Sequence, residues 1–268
     1  MCSIIGYKIT ETRKKDLQER LTNNFNLLSH RGEDSFGAIM ISSEKITSTK
    51  AMGLDTFTDS VTELLKEHNY KYIIAHGRKS SIGRINLGLQ HPIITKNEDV
   101  EVFTIHNGTN RDLYNLLKPY GGSDTAVMSK IFSKYKPEVD EIVKMLLADT
   151  GVVFNMFNNG KLYFHRDSAR PLMISEDRNM IASEPHTTGN WMMVKEQDTL
   201  FDSVEDFFNN TEVYDKKVEC TEKVHTRKCT FCKKTHLHSA KTGGKCLCCE
   251  AAASTKTTYN TTVVKNYY

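Results

Sequence analysis

Cysteine is the second residue of this chain, within Met1-Cys2-Ser3-Ile4-Ile5-Gly6. Removal of Met1 leaves Cys2 with both a thiol and a free α-amine. Their reference pKa values are about 8.5 and about 7.8, so a nucleophile and a general base of matched strength stand a few ångströms apart. A thiol activated in this way can attack a carbonyl carbon and form a covalent acyl intermediate. The small side chain at position 2 suits a methionine aminopeptidase. The same position also suits a cysteine that merely opens a buried strand, so the remaining polar segments have to decide.

Five further groups of polar residues punctuate the first 172 positions. They are His30-Arg31-Gly32-Glu33-Asp34-Ser35, then His76-Gly77-Arg78-Lys79-Ser80-Ser81-Ile82-Gly83 with Gln90-His91-Pro92, then His106-Asn107-Gly108. Gly121-Gly122-Ser123-Asp124-Thr125 and Arg166-Asp167 with Arg170-Pro171-Leu172 complete the set. Taken singly, Asn107-Gly108 reads as a turn, Arg78 as a solvated charge at a strand end and Asp124 as a helix N-cap residue.

The elements that carry these residues follow from hydrophobic period. Cys2–Ile9, Phe36–Ser42, Lys71–Ala75 and Val100–Ile105 are expected strands of β-branched and aromatic residues. Leu17, Leu21, Phe25 and Leu28 recur at helical spacing and predict a helix over Lys14–Ser29. Phe57–His68, Asp124–Tyr135 and Glu138–Ala148 are further expected helices, the last preceded by Pro137. Val152–Phe157 and Lys161–His165 flank Asn159-Gly160, a hairpin signal. Short strands follow near Leu172–Ser175, Met180–Ala182 and Trp191–Val194. Strands outnumber helices and the helices cluster, which points to sheets covered by helical layers, an α+β arrangement without regular βαβ alternation.

In this order and at these spacings the six segments resemble the class II glutamine amidotransferases, whose nucleophile is an N-terminal cysteine. The resemblance covers roughly residues 2–200. It implies the four-layer αββα sandwich of the Ntn hydrolases over residues 2–215, with glutamine as substrate. Cys2 matches the nucleophile that forms a γ-glutamyl thioester. Asn107 and Gly108 match the positions that supply oxyanion donors. Arg78 matches the arginine that holds the substrate α-carboxylate, and Asp124 the aspartate that holds its α-ammonium. Ser81 stands where the family often has a substrate-positioning threonine. His30, Arg31, Asp34, Arg166 and Asp167 read as structural, and His76 and His106 as packed polar groups, because Cys2 would bring its own base. The chain departs from the family at Lys79 and Ile82, where an aromatic residue and a histidine are frequent. It also lacks room for an acceptor domain, since 53 residues follow position 215.

Those 53 residues differ in character. Residues 1–215 hold 25 Lys and Arg against 30 Asp and Glu, a balance of −5, whereas residues 216–246 hold nine against two. A domain boundary is therefore expected at 215/216. Cys229-Thr-Phe-Cys232 and Cys246-Leu-Cys-Cys249 form a CxxC-x13-CxxC pattern, whose thiolates can hold one tetrahedral zinc ion. Cys229, Cys232, Cys246 and Cys249 are the expected ligands of a small basic zinc-ribbon-like module over 216–250. Cys248 is the spare, and His236 and His238 are unnecessary as ligands. No catalytic candidate lies beyond 200, so glutamine turnover is expected to be independent of this module. Residues 251–268, rich in Ala, Thr and Asn, read as a flexible tail.

Composition limits the remaining options. Hydrophobic residues make up 38% and charged residues 26% of the 268 positions, as in soluble domains with a core. No stretch reaches the roughly 18 apolar residues of a membrane span, and the start lacks the pattern of a secretory leader. The seven cysteines are not spaced as a disulfide framework, which points to a reducing, cytoplasmic setting. The leading expectation is a glutaminase subunit that passes ammonia to a separate acceptor-side synthase. The alternatives are a γ-glutamyl amide hydrolase without an acceptor, and an inactive glutaminase-like module whose basic ribbon binds nucleic acid or an acidic protein.

Overall fold

A computed structural model of the chain describes residues 2–79, 86–117, 122–135, 147, 150–221, 224–229, 235–239 and 248. The chain opens with β1 (Ser3–Lys8), α1 (Glu11–Leu27), β2 (Ser35–Ile41), β3 (Ile46–Ala51), α2 (Leu54–Glu67) and β4 (Tyr72–Arg78). It continues through β5 (Ile93–Asn97), β6 (Val100–Gly108), α3 (Arg111–Leu117), α4 (Asp124–Tyr135), β7 (Gly151–Phe157) and β8 (Leu162–Arg166). The described part ends with β9 (Met173–Ser175), β10 (Met180–Ala182), β11 (Gly189–Val194), β12 (Gln197–Phe201), α5 (Val204–Asn210), β13 (Val213–Cys220), β14 (Val224–Lys228) and β15 (Thr235–Ser239).

Eight strands form one antiparallel sheet in the order β13-β11-β9-β10-β1-β4-β2-β3, and five form a second in the order β12-β8-β7-β6-β5. The strand that follows Cys2 is interior to the larger sheet: Ile5 pairs with Ala182 on one side and Ala75 on the other. Strand side chains alternate between faces, and the core follows that alternation. Ile5, Tyr7, Ile73 and Ala75 face Leu17, Leu21 and Phe25 of α1 and Phe57, Val61 and Leu65 of α2. Their neighbours Ile4 and Ile74 point the other way, onto Ile105, Val152, Phe154 and Phe164 of the smaller sheet. The outer face of that sheet, including Val102 and Val153, is covered by Leu113 of α3 and Met128 and Phe132 of α4. The result is a mixed α/β sandwich in which two sheets stack between helical layers. Each such aliphatic or aromatic side chain contributes about 1.5–3 kcal/mol by leaving water. No helix among the described residues is long and apolar enough to cross a membrane.

The expected strands and helices lie where the apolar period placed them, apart from Glu138–Ala148, which falls almost wholly outside the described residues. The charge change at 215 is not a boundary of the fold. β13 runs across it as an edge strand, with Trp191 paired to Val218 and Gly189 to Cys220. The basic segment beyond forms the hairpin β14–β15. Its Leu237, together with Cys229 and Cys248, is buried in the cluster that also holds Trp191 and Phe25. Among the described residues this segment is thus packed on the larger sheet's helical side and does not stand apart.

Candidate active site

Cys2 precedes the interior strand β1 and opens into a narrow cleft of about 40 Å³, whose walls include Arg78, Lys79, His106, Gly108 and Asp124. The Cys2 Sγ lies 3.7 Å from the Lys79 carbonyl oxygen. Burial pushes the thiol pKa up, and the charges of Arg78 and Arg31 offset only part of that. The thiol is therefore protonated at neutral pH and needs a base before it can attack.

The backbone of Cys2 is held from behind. Arg31 is fully buried, and its Nε donates to the Cys2 carbonyl oxygen at 3.1 Å. Its Nη1 donates to Oε1 of Glu184, a carboxylate that is also buried. Arg31 thus has the orienting place that its segment predicts.

Arg78 closes β4, where it pairs with Ser35, and its backbone carbonyl accepts the Asp34 N–H at 3.0 Å. Asp124 opens α4, but it is not the capping residue. Ser123 fills that role, its Oγ accepting the Ala126 N–H at 3.2 Å. The Asp124 carboxylate instead accepts the N–H groups of Asn110 at 2.8 Å and Thr125 at 2.9 Å. Two basic residues, Arg78 and Lys79, and one carboxylate, Asp124, therefore line the cleft with the thiol.

Gly108 ends β6 opposite Gly151 of β7. A Cβ at position 108 would stand 1.6 Å from the Thr150 carbonyl oxygen, so only glycine fits and the backbone approaches the cleft unscreened. Asn107 is buried beside it. Its Nδ2 donates to Ser183 Oγ at 3.3 Å, and the same oxygen accepts the Ile4 N–H at 2.9 Å. The amide is thus turned toward Ser183.

His76, His91 and His106 are buried packing groups whose charged forms burial disfavours. The Thr150 carbonyl can only accept, so the proton of His106 is on Nε2, 3.1 Å away, and Nδ1 receives the Thr125 hydroxyl at 3.0 Å. Burial lowers the His106 pKa against the opposing pull of Asp124. His76 is pushed down to about 3, by burial first and then by its charged neighbours. Its Nε2 lies 3.2 Å from Nδ1 of His91, which also receives the His106 N–H at 3.3 Å. Ser81, Cys232, Cys246 and Cys249 lie outside the described residues. Cys229 and Cys248 are buried.

No family model matches the chain. It is 33% identical over 157 residues to an amidophosphoribosyltransferase of Archaeoglobus fulgidus, an alignment of 54% of this chain and 33% of the relative. A solved structure of the allosteric regulatory enzyme of purine biosynthesis superposes with a TM-score of 0.51 at 19% identity. It covers 74% of this chain and 48% of that one. The glutamine phosphoribosylpyrophosphate amidotransferase of B. subtilis superposes with a TM-score of 0.50 at 19% identity, over 75% and 48% of the two chains. The chain is thus similar in sequence to amidophosphoribosyltransferase over about half its length, and it shares the fold of these two solved enzymes. It spans a third of the length of the archaeal relative and about half that of the two solved enzymes.

Within this fold, sequence reasoning missed Ser183 and Glu184. Both follow β10 directly, and together they hold Ile4, Asn107 and Arg31. Nothing in the local sequence marks them. A lone Ser-Glu after a three-residue strand carries no period and no spacing, and its partners come from positions far away in the chain. Thr125 was quoted only as part of its segment, yet its hydroxyl is the partner of His106 Nδ1.

Proposed function

We propose that the chain hydrolyses glutamine to glutamate and ammonia through a γ-glutamyl thioester on Cys2, and that a separate acceptor-side protein uses the ammonia. The observation that carries this reading is the cleft in which the Cys2 thiol, the Arg78 cation and the Asp124 carboxylate meet. A glutamine lying there sets its α-carboxylate on Arg78 and its α-ammonium on Asp124, which directs its side-chain amide toward Cys2.

Loss of Met1 frees the α-amine of Cys2, which takes the thiol proton as Sγ bonds to the amide carbon. The carbonyl π pair moves to oxygen, and the oxyanion is met by the Gly108 N–H and by the Asn107 amide once it turns from Ser183. The α-ammonium then protonates the nitrogen, the C–N bond breaks and ammonia leaves. Water, deprotonated by the same amine, attacks the thioester; the C–S bond breaks and the thiolate recovers the proton.

Three further parts of the reading concern the C-terminal segment and the setting. Cys229, Cys232, Cys246 and Cys249 hold one structural zinc ion. Two observations support that donor set. The imidazole of His236 is engaged with Glu184 at 2.8 Å and so is not needed as a ligand. Cys248 has its Sγ 3.7 Å from the Ser183 carbonyl oxygen, the geometry of an S–H donor, which a metal-bound thiolate could not be. The nine basic residues of 216–246 dock the acceptor-side protein, with nucleic acid as the other candidate for that surface. The cysteine spacing, which is not that of a disulfide framework, fits a reducing cytoplasm.

The test joins three measurements on one sample: intact mass, glutamate release, and labelling by a diazoketone analogue of glutamine. The expected result is a mass that lacks Met1, turnover of glutamine, and one adduct on Cys2. Cys2→Ala abolishes turnover and labelling while the fold remains. A Cys2→Ala protein that hydrolyses glutamine as fast as the natural one overturns the mechanism.

A further inference from the structure

Two residues next to the nucleophile strand are gripped from the far end of the chain. Glu184 lies after β10, the strand that pairs with β1. Its Oε1 receives Arg31 Nη1 and, at 2.8 Å, His236 Nδ1; its Oε2 receives the Leu237 N–H at 2.6 Å. A carboxylate only accepts, so the His236 proton resides on Nδ1. All three side chains are buried, where a hydrogen bond to a charge is strong and a missing one is costly. Arg31 in turn holds the Cys2 carbonyl oxygen at 3.1 Å. Three contacts therefore join His236 on β15 to the residue that carries the thiol.

The second grip is independent of the first. Cys248 Sγ lies 3.7 Å from the carbonyl oxygen of Ser183. The hydroxyl of that serine takes the Ile4 and Asn107 donors, and its N–H donates to the Ile4 carbonyl at 2.9 Å. The same segment buries Cys229, Leu237 and Cys248 with the core that backs β1.

We propose that the basic C-terminal segment is part of the active-site scaffold, and that His236 is a positioning residue which acts through Glu184 and Arg31 on Cys2. The proposal rests on Cys2 being the glutaminase nucleophile. It reverses the expectation that turnover is independent of residues beyond 200. A displacement of about 1 Å at a reacting atom can cost on the order of a hundredfold in rate, so loosening a contact three steps away should cost about tenfold.

The experiment uses the full chain with His236→Ala, His236→Gln and Cys248→Ala. kcat and KM for glutamine are measured per Cys2 titrated by the diazoketone, and amide hydrogen exchange is followed over residues 3–8. In His236→Ala, kcat per titrated site should fall about tenfold with KM within about twofold, and exchange in β1 should quicken. His236→Gln, whose amide can still donate to Glu184, should recover most of the loss. Cys248→Ala should lower kcat severalfold and serves as the comparison if His236→Ala does not fold. Unchanged kcat per titrated site with unchanged β1 exchange overturns the proposal, as does a loss confined to the fraction of sites that titrate. If the natural protein neither turns over nor labels, the reading of Cys2 fails instead. The exchange comparison then decides the coupling alone: faster β1 exchange in the variants upholds it, and equal exchange sinks it.

Discussion

Replacing Glu184 by alanine should be among the most damaging single changes outside the cleft. The carboxylate and its partner Arg31 are almost fully buried, at 1% and 0% side-chain exposure. Removing the carboxylate strands a buried guanidinium and frees His236 and the Leu237 N–H at once. Breaking one partner of a buried pair costs about 3–5 kcal/mol. For a chain of this size each kcal/mol moves the melting temperature by about 2–4 °C, so the expected drop is on the order of 10 °C. The pH dependence supplies a second check. Burial alone would push the Glu184 carboxyl up, but the Arg31 charge and the hydrogen bonds from His236 and His30 overcome that and hold it well below the usual range. A carboxyl lowered on folding stabilises the fold above its unfolded pKa, about 4.3, and that stability drains away as pH falls through the folded value. The gap between the natural protein and Glu184→Gln should accordingly be widest near neutrality and close progressively below about pH 4. Calorimetric melts across that range measure both effects. Coincident melting of Glu184→Ala and the natural protein near neutral pH would refute the reasoning, because a buried guanidinium cannot lose its counter-charge at no cost.

Asp124→Asn should raise KM for glutamine about a hundredfold while lowering kcat much less, since the carboxylate binds a group that does not react; steady-state glutamate release gives both constants. Metal analysis of protein purified without chelator should find about one zinc per chain, with affinity falling as pH is lowered because thiolates must compete with protons. A content near zero, with the four thiols titrating freely, removes the zinc reading.

The placing of Cys2, Arg78 and Asp124 on one cleft and most of the layered architecture were legible because local signals carry them. The run Asp124–Tyr135 was read as a helix from its own spacing and is one. The arms around Asn159-Gly160 formed a hairpin because the turn residues say so. The strands that escaped notice are edge strands with a solvated face. Ile46–Ala51 is half-buried along most of its length, and Ile93–Asn97 is mainly exposed, so neither needs an apolar run. β13 was hidden by its charges. Lys216 and Lys217 lie on a sheet edge, where lysine is tolerated, and the composition change therefore imitated a domain boundary. Ser183, Glu184 and His236 were illegible for a different reason: their roles exist only between residues that the chain separates widely.

The interior place of β1 sets an order of events during synthesis. Ile5 finds one neighbour at Ala75 and the other at Ala182. At about 5–20 residues per second, the second partner leaves the ribosome roughly 10–35 s after the first strand has emerged. Through that interval Ile4 and Ile5, fully buried in the finished sheet, have one open edge and no complete cover. Pairing over so long a separation is slow to form, and an exposed strand edge invites pairing with other chains. Slower growth temperatures and chaperone supply should therefore govern how much of this protein is recovered from cells, more than the stability of the finished fold does.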